Sequence, residues 1–198
     1  MKKLIVKFVL PTVLAIGVLI GCGTSPPPRL YLIEPMSAIA DVGAGSGPTI
    51  AIAPVLLPKR LDRKEIVTHD EPFRVNAAEF DRWAEPLEDG ISAALAENLS
   101  ILVPTDYVVA YPWGGTPQID YKVHVRVITF GADPGGEVVL RVSWLISDAA
   151  NAPLAASTGR YEEQRRGDNM VDTVAAMSRA IEQLSREIAT AIKVESDN

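Results

Sequence analysis

Few side chains in this sequence are able to do chemistry. Two histidines and one cysteine stand among 198 residues: His69, in Thr68-His69-Asp70-Glu71, His124, between Lys122 and Arg126, and Cys22. A lone cysteine forms no intrachain disulfide, and this set cannot supply a thiolate metal site. Acyl transfer needs a nucleophile, a base and an oxyanion donor within reach of one another, and the chain has no Gly-x-Ser-x-Gly elbow. His124 falls on the polar side of an alternating run, which reads as a solvated strand face. His69 has acidic neighbours that favour its charged form and suit a surface ion pair. The 25 acidic residues offer many carboxylate pairs for glycosidase-type work, but no spacing singles one out. Glu162-Glu163-Gln164-Arg165-Arg166 reads as a solvated strand edge, and no carboxylate spacing marks a site for a hard metal ion. The glycines of Gly43-Ala44-Gly45-Ser46-Gly47-Pro48 precede a strand rather than a helix, so they form no phosphate loop. These residues point to a non-enzyme without catalytic residue, metal or cofactor.

Cys22 calls for a different chemistry. Lys2, Lys3 and Lys7 open the chain, the apolar run from Phe8 to Ile20 follows, and Gly21-Cys22 closes it. A positive start before a short apolar stretch is the pattern of a secretory signal peptide, and the run is marginal for a spanning helix of about 20 apolar residues. Leu19-Ile20-Gly21-Cys22 resembles the bacterial lipobox, in which diacylglycerol is attached to the cysteine sulfur and the chain is cleaved before it, here after Gly21. An uncleaved anchor helix and a buried free thiol are the alternatives. One acyl chain anchors only marginally, at about 0.8 kcal/mol per buried CH₂; a diacylglycerol plus an N-acyl chain on Cys22 would hold the protein firmly on its membrane. Gly23, rather than Asp, follows the cysteine, which favours delivery to the outer membrane.

Removing residues 1–21 takes away three lysines and no acids, leaving 16 basic against 25 acidic residues and a charge of about −9. Such a balance argues against nucleic acid and against broad binding to anionic surfaces. Gly23-Thr24-Ser25-Pro26-Pro27-Pro28 reads as an extended tether, at about 3.1 Å per residue. The organisation expected is therefore a signal peptide over 1–21, a lipidated cysteine and Pro-rich tether over 22–29, and one periplasmic domain over 30–198.

Within that domain, residues 29–33 and 49–54 read as strands, with a loop over 37–48 between them. The segment 57–79 reads as polar and irregular, with 65–68 and 72–77 extended. A helix is predicted from about Ala84–Pro86 to Leu99, its stripe Leu87, Ile91, Leu95 and Leu99 making a core face. Tyr107–Tyr111 reads as a short strand. Alternation over residues 121–127 and 137–146, with Asp133-Pro134-Gly135-Gly136 between, predicts a hairpin, and 154–163 a third strand. The last helix is predicted over about 169–194, capped by Asp168 or Asn169. Its stripe of Val174, Met177, Ile181, Leu184, Ile188 and Ile192 would face the core or, alternatively, a coiled-coil partner. The fold class expected is α+β in two layers, a mainly antiparallel sheet packed against two amphipathic helices on one side.

One stretch is distinctive beyond its physics. Thr49 to Pro58, then Leu61-Asp62-Arg63 with Ile66-Val67, then Arg82-Trp83-Ala84-Glu85-Pro86-Leu87, resembles the ABC-type transport auxiliary lipoprotein family, that of the PqiC-like lipoproteins of MCE transport systems. Lys59-Arg60 departs from the aromatic expected nearby. The resemblance implies a periplasm-facing lipoprotein on the outer membrane that docks or receives an MCE conduit carrying lipids or other hydrophobic molecules, with an MCE-domain protein as partner and a homo-oligomeric ring as its assembly. The rival role is an assembly factor or activator for lipopolysaccharide insertion or cell-wall synthesis; a third is a lipid carrier with an internal cavity. Trp83 and Leu87 either staple the first helix to the sheet, with Asp62 and Arg63 paired, or Leu57, Pro58, Leu61, Asp62, Arg63, Trp83 and Glu85 form the contact surface for a neighbouring subunit or the MCE protein.

Overall fold

The computed structural model describes residues 26–37, 47–71, 74–105, 107–113 and 118–196; the predicted signal peptide, Gly21, Cys22 and most of the 37–48 loop lie outside them. In chain order the elements are β1 (Arg29–Tyr31), β2 (Ile50–Ile52), β3 (Glu65–Glu71), β4 (Arg74–Trp83), α1 (Leu87–Leu102), β5 (Val108–Ala110), β6 (Tyr121–Ala132), β7 (Glu137–Asp148), β8 (Pro153–Gln164) and α2 (Met170–Ser196).

The α+β class is the one expected, but the strands form two sheets. Strands β5-β2-β6-β7-β8 make the larger, and β1-β4-β3 the smaller. Alternation builds the large sheet. Val123, Val125 and Val127 from β6 and Val138, Leu140, Val142, Trp144 and Ile146 from β7 are all buried, because every second side chain points to one face. Both helices cover that face and contact each other. The β6–β7 turn uses the predicted residues: the Glu137 amide donates to Asp133 Oδ1 at 2.9 Å, and Gly136 has φ of 83°, where a side chain would be strained.

On α2 the whole predicted stripe is buried, from Val174 at 6 % exposure to Ile192 at 0 %. It is spent inside the domain, so the coiled-coil alternative has no free seam. Asn169 caps the helix by accepting the Asp172 amide at 2.9 Å. The first helix starts at Leu87 with Pro86 as its cap, slightly later than expected, since proline's fixed φ serves a cap that lacks a side-chain acceptor.

The segment read as irregular, 57–79, is the main difference. Strands β3 and β4 pair antiparallel, with His69 opposite Val75 and Glu65 opposite Arg82. The alternation is hidden because the first three residues of β4 are exposed, most of those that follow are half-buried, and only Asp81 and Trp83 at its end are buried. Strand β1 then joins β4 in parallel, Arg29 beside Asp81 and Tyr31 beside Trp83. No helix among the described residues is long and apolar enough to cross a membrane.

Candidate functional site

The described chain emerges from the tether at Pro26–Pro28, all exposed, and is fastened at once. Arg29 donates from Nε and Nη2 to the two oxygens of Asp81 at 2.7 and 2.8 Å. The Tyr31 hydroxyl donates to Asp81 Oδ1 at 2.8 Å. The bidentate guanidinium is the main reason the Asp81 carboxyl sits below the usual carboxylate range, as expected for a charge-assisted pair. Burial, then Asp81, pushes the Tyr31 phenol up. The Tyr31 carbonyl accepts the Ala84 amide at 2.9 Å, and the Lys64 carbonyl accepts the Trp83 amide at 2.7 Å. Three segments distant in sequence thus converge where the domain begins.

Beside that convergence lies a mainly apolar cleft of about 400 Å³. Of the residues singled out in sequence, Leu57, Asp62, Arg63, Trp83 and Glu85 line it together. Leu61 does not; it is 4 % exposed and belongs to the core, while the Pro58 carbonyl accepts its amide at 2.8 Å. Trp83 is 6 % exposed, so most of its ring is core. The predicted Asp62–Arg63 pair is absent: Asp62 accepts from Lys59 Nζ at 3.4 Å and Arg63 Nε donates to Glu65 at 2.9 Å. The two residues sit in a tight bend, where the Arg63 amide donates to the Leu61 carbonyl at 2.9 Å, and their side chains reach different partners. Pro28, Leu30, Lys64 and Arg82, which were not among the expected contact residues, also line the cleft. Arg82 Nε is buried there without a hydrogen-bond partner among the described residues. Only the parallel β1–β4 pairing brings Pro28 and Leu30 to this place, and a three-residue strand carries no periodicity that could announce it.

Groups with catalytic potential elsewhere are engaged structurally. His124 lies 3.3 Å from the Ser147 hydroxyl; burial, then Lys122, lowers its pKa. Glu71 pairs with Arg74 at 3.4 Å rather than with His69, and the Asp70 side chain lies outside the described residues. Glu163, read as part of a solvated edge, accepts from Arg179 of α2 at 2.8 Å and ties β8 to that helix. Glu187 accepts from Trp144 Nε1 at 3.2 Å and from the Tyr161 hydroxyl at 2.7 Å, and burial drives the Tyr161 pKa far up. No cluster of His, Cys, Asp and Glu able to hold a metal ion occurs among the described residues.

The sequence model for the ABC-type transport auxiliary lipoprotein component matches residues 31–189, from Tyr31 of the clamp to the last turns of α2. The chain belongs to this family. It is therefore a transport-associated lipoprotein of the cell envelope, and the family's role is auxiliary to transport. Solved structures share the fold of this auxiliary lipoprotein. A crystal structure of an uncharacterized protein superposes with a TM-score of 0.71 at 21 % identity, covering 84 % of this chain and 99 % of that one. A Xanthomonas campestris protein of the DUF330 family gives 0.66 at 16 %, covering 88 % and 98 %. The PelC dodecamer of Paraburkholderia phytofirmans gives 0.50 at 13 %, covering 75 % and 89 %. No curated protein sequence matches the chain.

Proposed function

We propose that this protein is the periplasm-facing lipoprotein of an MCE-type system, anchored to the outer membrane through lipid on Cys22, where it docks the far end of the MCE conduit that moves lipids or other hydrophobic molecules between membranes. The observation that carries this reading is the family match across residues 31–189. Geometry supports it: hallmark residues from three segments gather at one cleft beside the tether, so the contact surface would lie close to the membrane anchor. Leu57, Asp62, Arg63 and Glu85 would meet a neighbouring subunit or the MCE protein, while Trp83 and Leu61 support them from the core. The dodecamer formed by PelC, a protein of related fold, favours a ring of identical subunits. The protein's own chemistry is then positional, with no catalytic step and with the covalent lipid as its sole added group.

The test is a pull-down of the full-length chain from detergent-solubilised envelopes, with Cys22→Ala as the control and mass spectrometry as the readout. Recovery of an MCE-domain protein, reduced in the control, is expected. Recovery of a cell-wall synthase or a lipopolysaccharide-insertion protein in its place would overturn the MCE assignment and favour the assembly-factor role.

A further inference from the structure

We propose that the domain carries its own membrane-contacting face, formed by Leu30, Leu32 and Val171, which inserts into the phospholipid leaflet that holds the Cys22 anchor. Among the described residues nine large hydrophobic side chains are exposed, and three of them, Leu30 at 62 %, Leu32 at 48 % and Val171 at 64 %, line one hollow between residues 30–37 and the first turns of α2. The apolar cleft at the tether exit adjoins it, since Leu30 and Ala84 line both. Leu30 and Leu32 stand on the first strand and the residue just beyond it, and the Arg29–Asp81–Tyr31 clamp gives that segment a fixed direction.

The length of chain between anchor and domain selects a bilayer as the occupant. Six residues lie between Cys22 and Arg29, a span of about 20 Å when fully extended at about 3.1 Å per residue. With Cys22 lipidated, the face that surrounds Arg29 cannot move more than about 20 Å from the membrane surface. A short tether makes contact intramolecular, at an effective concentration in the millimolar range, so three aliphatic side chains suffice where free protein would not bind. The charges around the hollow do not oppose this: Arg179 is tied to Glu163 and Glu182 to Arg186, which leaves Glu34 and Arg166 as an opposed pair of signs at its rim. On a chain of charge about −9 after residue 21, a near-neutral face tolerates an anionic leaflet better than an acidic one.

This inference rests on the Cys22 anchor, and the experiment separates the two. Full-length chain is reconstituted into phosphatidylethanolamine and phosphatidylglycerol vesicles, and flotation is compared with Cys22→Ala. Leu32→Cys, Val171→Cys and, on the large-sheet face turned away from the helices, Thr158→Cys are each labelled with bimane; a lipidated Cys22 takes no label. These sites are exposed, so the variants keep the wild-type circular dichroism. Acyl chains bearing bromine are expected to quench the probes at 32 and 171 at least about threefold more than the probe at 158. A chain that floats with equal quenching at all three sites overturns the membrane face and leaves the anchor standing. Shielding from aqueous iodide without quenching by lipid, increasing with protein density, assigns the face to a second copy and equally overturns the proposal. A wild-type chain that does not float overturns the anchor, and the face with it.

Discussion

Asn98 is fully buried on the apolar stripe of α1 and offers a quantitative test of how the post-tether segment is held. Its Oδ1 accepts the Met36 amide at 2.7 Å and its Nδ2 donates to Ser185 Oγ of α2 at 3.0 Å. Ser185 in turn donates to the Ile181 carbonyl at 2.8 Å. One side chain therefore joins the segment after β1 to both helices. Asn98→Leu keeps roughly the volume and removes two hydrogen bonds, each with a net worth of about 1 kcal/mol, so a loss of about 2 kcal/mol is expected. For a domain of this size that lowers the melting midpoint by about 4–8 °C. Urea unfolding of wild type, Asn98→Leu, Ser185→Ala and the double variant closes a thermodynamic cycle with an expected coupling of about 1 kcal/mol. Hydrogen exchange at the Met36 amide should accelerate in Asn98→Leu but not in Ser185→Ala. A coupling below about 0.3 kcal/mol, with Met36 exchange unchanged, would refute the assigned bridge.

Two further perturbations probe the tether exit. Trp83→Ala empties a site that is 6 % exposed and should cost about 3–5 kcal/mol in urea unfolding; a loss under about 1 kcal/mol would return Trp83 to the contact surface. Asp81 has a folded pKa below its ordinary value of 3.8, so the unfolded chain takes up this proton more readily. The clamp's contribution is then complete above about pH 4 and disappears as pH falls through the folded value. Asp81→Asn should be less stable than wild type at pH 7, with the gap closing below pH 4; a gap that stays constant from pH 7 to 2.5 would sink the assignment.

Features that repeat over many residues, or that depend on local chemistry, are readable from the sequence. Twelve-residue strands alternate through β6 and β7 and α2 spans 27 residues, so their apolar periods rise above noise, and the Asp-Pro-Gly-Gly turn specifies its own conformation. The α+β class was legible from these. The motif residues were legible too, as a family resemblance, but not their disposition: Asp62 and Arg63 looked like partners and are not, and Leu61 belongs to the core. Tertiary structure alone decided the second sheet and the cleft. Strand β1 has three residues and β4 buries only Asp81 and Trp83 at its end, so neither shows a period. Arg29 meets Asp81 across 52 positions. Pairing over that distance depends on the competing burial of every segment, and no window of sequence holds that sum.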